Sequence, residues 1–369
     1  MPLKGKAGHQ PDYVFLFCVA LLTLFGLLIL SSASSDIAKI KFNDTYYYLK
    51  HQVIYGLSLG VAGFLIASRV HFRRFEKLAL ALLFLNILAL VAVFTPLGYS
   101  FKGASRWLGL GPFSIQPAEI LKITFVIYLG LWLSNKKINR QTSFWEGYLP
   151  FLFICGLLAF LILVQPATTT AIIIMAGGLI VYFVSGARLA YVVGAILLGI
   201  LALALVVYFT PYRFERVMGF FHPERVSIES NGYHLNQALI AIGAGGPWGV
   251  GFGKSTTKFK YLPEPIGDSI FAVIAEEFGF FGALILLGIF ITLILRGFSI
   301  ARNSRDQFGK LIAAGLTSII AIQTFIHVAA ISGLLPLTGV TLPFISYGGT
   351  SLAVFLTMAG IIVNISKYT

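Results

Sequence analysis

Apolar residues gather along this chain in ten stretches, at 13–33, 48–68, 78–95, 115–134, 147–164, 168–185, 189–210, 269–295, 311–333 and 342–365. Each approaches the roughly 20 residues that a helix needs to cross a hydrocarbon core. Backbone in lipid must satisfy its own polar groups, so the pattern predicts an all-α, polytopic membrane protein of ten transmembrane helices packed as one domain over residues 1–369. An even number of crossings returns both termini to one side. The short connections on that side hold Lys4, Lys6, Arg69, Arg73, Arg74, Lys77, Lys136, Lys137, Arg140, Arg188, Arg296, Arg302, Arg305, Lys310 and Lys367. The opposite ones hold only Lys39, Lys41, Lys50, Lys102 and Arg106, so the positive-inside rule predicts cytoplasmic termini. One connection, about 211–268, lies on the outer side between the seventh and eighth helices and exceeds ordinary loop lengths. Its amphipathic stretch at 232–244 and the aromatics around 243–253 predict an ordered loop lying partly on the membrane surface. No internal repeat is apparent, which speaks against an inverted-repeat transporter.

Composition agrees with the pattern. Hydrophobic residues make up 57% and charged residues 11%, with a mean hydropathy of +0.88, whereas soluble domains carry about a quarter charged residues. The net charge of +13 sits between apolar runs as topology signals and forms no aromatic-interleaved patch for nucleic acid. Cys18 and Cys155 lie inside apolar runs, outside any disulfide or metal pattern. The histidines at 9, 51, 71, 222, 234 and 327 lack metal-ligand spacing. Lys4 and Lys6 before the uncharged stretch at 13–30 resemble the start of a signal peptide, but the apolar core is long enough to stay as a signal anchor.

Chemistry-bearing residues stand out against this background. A full fourth crossing must include Glu119 and Lys122, which at i, i+3 can pair on one helix face. Pairing offsets part of the roughly 2.5–3.5 kcal/mol that a lone Lys costs within a span. They read either as a structural pair with Lys122 reaching outward, or as a cation in an internal cavity for an anionic lipid headgroup. Upstream, Arg106-Trp107 offers a bidentate phosphate donor beside an interfacial ring, or simply an anchor. The long loop ends in Pro263-Glu264-Pro265-Ile266-Gly267-Asp268, and Glu276 and Glu277 follow in the next span. Asp268 reads as the N-cap of the eighth helix or as a cavity-facing general base, and the two glutamates as hydrogen-bonding partners between helices. The prolines and glycines at 333–351 predict broken helix, tolerated at membrane depth only where it is enclosed by protein or lines a wet cavity; the hydroxyls of Ser346 and Tyr347 are candidates to line it.

These motifs together resemble the SEDS family (shape, elongation, division and sporulation). The resemblance rests on Gly339-Val340-Thr341-Leu342-Pro343-Phe344-Ile345-Ser346-Tyr347-Gly348-Gly349-Thr350-Ser351, Ala104-Ser105-Arg106-Trp107, Gln116-Pro117-Ala118-Glu119 and Tyr261-Leu262-Pro263-Glu264. It runs from the first span to the last and is nearer to division-type than to elongation-type members. It implies a peptidoglycan glycosyltransferase that polymerises lipid II into β-1,4 glycan strands with inversion, acting at the division septum with a class B penicillin-binding protein and other division proteins of the membrane. It implies Asp268 as the essential base, with Arg106, Lys122, Glu119, Glu264, Ser346 and Tyr347 as substrate-binding residues. A divalent cation at the diphosphate is left open, and no other cofactor is implied. Alternatives of other classes are a lipid II flippase, a role once assigned to this family, and a non-catalytic scaffold; within the enzyme class, an elongation-type polymerase remains. Two positions depart from the common pattern: Ala167, where many members have Asp, and His327, where many have Asn.

Overall fold

The computed structural model describes residues 10–101, 104–110, 113–135, 139–221, 231–259 and 261–369. Lys4, Lys6, His9, Lys102, Lys136, Lys137 and His222 lie outside the described residues. Each expected apolar stretch is helical: α1 (Tyr13–Phe42), α2 (Tyr47–His51) continued by a π turn into α3 (Ser58–Arg69), α4 (Arg73–Ala92), α5 (Pro117–Ser134), α6 (Leu149–Val164), α7 (Thr168–Val184), α8 (Leu189–Tyr208), then α11, α12 and α13 (Ile270–Asn303, Gln307–Ile331 and Gly349–Ser366). Among the described residues nine helical stretches have the length and apolarity to cross a membrane, α2 to α3 counting as one, and α7 is a shorter apolar helix. The protein is a polytopic helical membrane protein.

Helix ends depart from the apolar boundaries where capping decides them. Asp12 starts α1 by accepting from the Phe15 N–H at 2.9 Å. The helix runs past residue 33 through Asp36, Lys39 and Lys41 until Asn43 adopts the left-handed conformation and donates back to the Lys39 carbonyl. Apolarity limits how much of a helix lies in lipid, and the backbone continues until a residue stops it. Between α4 and α5 the chain is not a plain loop. A three-stranded antiparallel sheet stands there, β1 (Gly98–Phe101), β2 (Ala104–Leu110) and β3 (Phe113–Ile115), with Leu108 opposite both Gly98 and Ile115. This corrects the all-α expectation locally. Strand pairing gives this polar connection's backbone its hydrogen bonds at the bundle surface. Gly103, Gly111 and Pro112, which flank the strand that carries Arg106 and Trp107, lie outside the described residues.

The bundle has a centre and a periphery. The apolar windows of α5, α12 and α13 are 72%, 72% and 78% buried, whereas that of α8 is 6% buried and is left to lipid or a partner helix. One face gathers the ends nearest the termini. The Asp12 N–H donates to Ser366 Oγ, the Arg296 guanidinium pairs with Asp12 at 2.5 Å, and Arg73 pairs with Asp306 at 2.6 Å.

On the opposite face, the long connection contributes α9 (Pro211–Phe221) and α10 (Asn231–Ala244). Ala238 and Ala241 of α10 are fully buried, and α10 packs on α11. The following glycine-rich segment is pinned by the two glutamates flagged in the sequence. Glu276 accepts from Ser255 Oγ at 2.5 Å and Thr256 N at 2.9 Å, and also from Thr257. Glu277 pairs with Lys258 at 2.8 Å and accepts from Ser32 of α1 at 2.6 Å. Glu277 thus links two helices, as expected, whereas Glu276 bonds the non-helical residues 255–257.

Just beyond them α11 breaks at Gly279, with φ of 67°. The freed backbone groups are recovered by the glycine segment. Val250 and Gly251 N–H donate to the Glu276 and Glu277 carbonyls, both at 3.0 Å, and Phe280 N–H donates to Gly246 O at 2.8 Å. A broken helix is thus satisfied by protein and not by lipid. A Cβ at Gly279 would stand 2.3 Å from Gly249 N, so the close approach and the positive φ both require glycine. Gly279→Ala is therefore expected to cost at least about 1 kcal/mol, against the gain that Ala brings to a regular helix interior. A lowered thermal midpoint in detergent checks this; an unchanged or raised midpoint contradicts it.

Candidate active site

The site is built around residues 338–348, the non-helical segment that enters α13. Side chains from several elements bind its backbone. Thr169 of α7 donates to Thr338 O at 3.2 Å, His327 Nδ1 bonds Val340 O at 2.6 Å and Gln323 Nε2 donates to Thr341 O at 2.8 Å. Leu342 N–H donates to Ser346 Oγ, which in turn donates to Gly267 O, both at 2.8 Å. Tyr347 N–H donates to Ile266 O at 2.9 Å, and Gly348 N–H to Gln52 Oε1 at 3.0 Å. Pro343 disrupts a regular helix here, and these partners replace its hydrogen bonds. Ser346 and Tyr347, expected to line a cavity, thus fasten the end of the long loop to this segment. The Tyr347 hydroxyl is bonded to His51 Nδ1 at 3.0 Å.

That fastening fixes Asp268. A Cβ on Gly339, whose φ is 67°, would lie 3.3 Å from Asp268 Oδ2, so the glycine leaves room for the carboxylate above the segment. Asp268 is half-buried and lines a cavity of about 50 Å³ together with Arg216, His234, His327 and Thr338 to Val340. It is not the N-cap of α11. Ser269 takes the cap position, and its hydroxyl donates to Pro263 O at 2.7 Å, so the turn after Pro263 displaces the helix start by one residue. Glu264 sits exposed in that turn with φ of 46°, and its carbonyl accepts from Gly267 and Ser269 N–H at 3.1 and 3.2 Å.

Arg106, on β2, donates from Nε to Gln165 O at 3.0 Å and from Nη2 to Pro166 O, tying the sheet to the α6–α7 junction. Burial lowers its guanidinium from the ordinary value; Tyr212 and Asp268 oppose this, and Arg216 and Arg213 add to it. An arginine starts so high that it stays charged. Arg106 therefore lies within electrostatic reach of Asp268, Arg213 and Arg216, and Arg216 lines the Asp268 cavity. Arg213 and Arg216 fall outside the residues expected from sequence; their one signal is the i, i+3 spacing on the polar side of α9. Arg213 is anchored to Leu163 O at 2.9 Å, and Arg216 lies over the Tyr212 ring at 5.0 Å. Among the described residues no group of three His, Cys, Asp or Glu is placed to hold a metal ion.

Lys122 and Glu119 have other surroundings than the open cavity or the outward-reaching Lys expected. The Lys122 side chain is fully buried, donates to Glu119 Oε1 at 2.6 Å and Gln323 Oε1 at 2.7 Å, and lies 5.1 Å from the Phe355 ring centre. Its charge is thus coupled through Gln323 to Thr341, whose hydroxyl also bonds Ser351 at 3.0 Å. Removing one member strands the other in low dielectric. Lys122→Met is expected to cost about 3–5 kcal/mol, and adding Glu119→Gln should recover part of it. Thermal unfolding of both single variants and the double variant checks this. A Lys122→Met protein as stable as wild type contradicts it.

Comparison with known proteins places this architecture. A family described as cell cycle protein, of the FtsW, RodA and SpoVE type, matches residues 12–369. The chain is 36% identical to stage V sporulation protein E of Bacillus subtilis, over 98% of both chains. It is 38% identical to the "Probable peptidoglycan glycosyltransferase FtsW" of Trichlorobacter lovleyi, over 96% of this chain and 93% of that one. Among solved structures it resembles a chain of a peptidoglycan synthase complex that coordinates polymerization and crosslinking, with a TM-score of 0.80, 28% identity and coverage of 97% and 99%. It also resembles the rod shape determining protein RodA of Thermus thermophilus, with a TM-score of 0.72, 27% identity and 96% of each chain covered. Sequence match over nearly the whole length and agreement of fold lead to one conclusion: the chain belongs to the FtsW/RodA/SpoVE family of cell cycle proteins, the SEDS family.

Proposed function

We propose that this protein is a peptidoglycan glycosyltransferase that polymerises lipid II into β-1,4 glycan strands, with Asp268 as general base. The observation that carries the reading is the half-buried Asp268 carboxylate, fixed by the 338–348 segment in a cavity with Arg216 and within electrostatic reach of Arg106. The relatives named as glycosyltransferases support the reaction class. In the reaction, the 4-hydroxyl oxygen of one sugar attacks the anomeric carbon of another. The bond from that carbon to the undecaprenyl diphosphate breaks, and its electron pair leaves with the diphosphate. Asp268 takes the hydroxyl proton as the new bond forms, a contribution of roughly 10²–10⁴ in rate. Arg106 and Arg213 meet the charge on the leaving diphosphate in a site of low dielectric. Glu264, exposed at the turn before Asp268, is assigned to contact with the substrate sugar. Lys122, Glu119, Ser346 and Tyr347 act by holding the segment that positions the base.

The loop and site then lie on the outer side of the cytoplasmic membrane, and the ten crossings return both termini to the cytoplasm. The charge bias of the connections supports this orientation. The partner is a class B penicillin-binding protein at the division septum, in keeping with the synthase complex that the fold resembles.

Asp268→Asn keeps size and leaves the Ser269 cap untouched, so the fold should remain, with a thermal midpoint near wild type. Polymer formed from labelled lipid II by purified protein with its partner should fall at least about 10²-fold. Substantial polymerisation by the folded variant rejects the base assignment. No polymer from well-folded wild type with partner present favours a flippase or a scaffold.

A further inference from the structure

Two of the residues that line the Asp268 cavity carry, among the described residues, a buried polar atom without a partner. His327 is 2% exposed, and its Nδ1 bonds the Val340 carbonyl at 2.6 Å. A carbonyl only accepts, so Nδ1 carries the proton, and in the neutral ring Nε2 is a bare acceptor. Among the described residues Nε2 has no hydrogen-bond partner, although it is buried. Arg216 presents the complement: its Nε–H, a donor, is also buried without a partner. Leaving either group unmet in a closed protein is unfavourable. Both residues line the same cavity of about 50 Å³, which Asp268 and Gly339 also line. A water site needs roughly 10–15 Å³ measured in this way, so the space suits a few hydroxyl-sized groups and no whole sugar ring.

A hydroxyl is the group that satisfies an acceptor and a donor at once. We propose that His327 is a positioning residue of this site: its Nε2 accepts a hydrogen bond from an O–H held next to Asp268, while Arg216 Nε–H donates to the same oxygen. The O–H is not the attacking one, because that hydroxyl gives its only proton to Asp268. It belongs either to a hydroxyl next to the attacking position on the acceptor sugar or to a water that orients the Asp268 carboxylate. The inference rests on Asp268 being the base and adds the group that sets the acceptor's angle of approach.

Two substitutions separate this role from a structural one. His327→Phe keeps a ring and removes both nitrogens; His327→Gln can place an amide oxygen near the position of Nε2 while giving up the Val340 bond. Polymerisation of labelled lipid II is measured per folded molecule, with the partner present and Asp268→Asn run alongside. His327→Phe should lose about tenfold in kcat/KM, and His327→Gln should recover most of it even where its thermal midpoint is lower. A loss in kcat with KM unchanged identifies the bound water, and a raised KM for lipid II identifies the sugar hydroxyl; both support the proposal. Wild-type turnover by folded His327→Phe overturns it. If His327→Phe does not fold, His327→Gln decides: activity near wild type supports the role, and loss as deep as that of Asp268→Asn overturns it. An active Asp268→Asn enzyme removes the base assignment instead, whichever way the His327 variants behave.

Discussion

The structure depends on one constraint: a chain that leaves the helical path inside a membrane bundle must find partners for its backbone from neighbouring protein. The segment at 338–348 does so with side chains from α7, α12 and the α2–α3 region, and with Gly267 and Ile266 of the long loop. These bonds are the means by which distant parts of the sequence acquire a common geometry. Asp268 owes its place to them, since Ser346 and Tyr347 grip the residues just before it. The break in α11 at Gly279 obeys the same rule, with the glycine segment at 246–251 as its partner.

The buried pair of Lys122 and Glu119 takes on meaning in this setting. A buried ion pair is weak evidence for stability, because desolvation cancels much of its attraction. Its value here is geometric. Lys122 gives Gln323 a fixed donor, which leaves the Gln323 amide group to donate to Thr341. Two charges in the core thus define where a backbone carbonyl sits several ångströms away. On the proposed function the charges that face the reaction are others, Arg106, Arg213 and Arg216, on β2 and α9. One set of cations fixes the scaffold and the other meets the substrate.

Much of the fold was legible because the bilayer imposes a length and a composition on every span. Ten apolar stretches became helices, and Asp268, Arg106 and Glu264 could be singled out because charge near a membrane boundary demands a reason. What escaped was decided by contacts far apart in the chain. The sheet at 98–115 depends on a register between short strands that alternate weakly. Asp268 looked like a helix cap because the turn that hands the cap to Ser269 is closed by the Pro263 carbonyl, which a local pattern does not reveal. For Lys122 the sequence leaves a structural pair with Glu119 and a cavity-facing cation both open, because its second partner, Gln323, lies 201 residues away. Arg213 and Arg216 read as the polar side of a surface helix until the fold brought them beside Asp268. Glu276 and Glu277 were legible as inter-segment partners, but which segment they hold depends on the glycines at 246–251 folding back onto α11.

Buried side chains hold the unwound segment, and the segment holds Asp268, the base of the proposed function. Hydrogen exchange of Gln323→Leu tests this most directly, because Leu fills similar space while removing both the Lys122 and the Thr341 bonds. The account predicts faster exchange of the amides of Leu342, Ser346 and Tyr347 and, through the Tyr347 to Ile266 bond, of Ser269 at the end of the loop. Exchange in α8, which stands apart from this network, should be unchanged. Wild-type protection at 342–347 and at 269 in the folded variant would contradict the account.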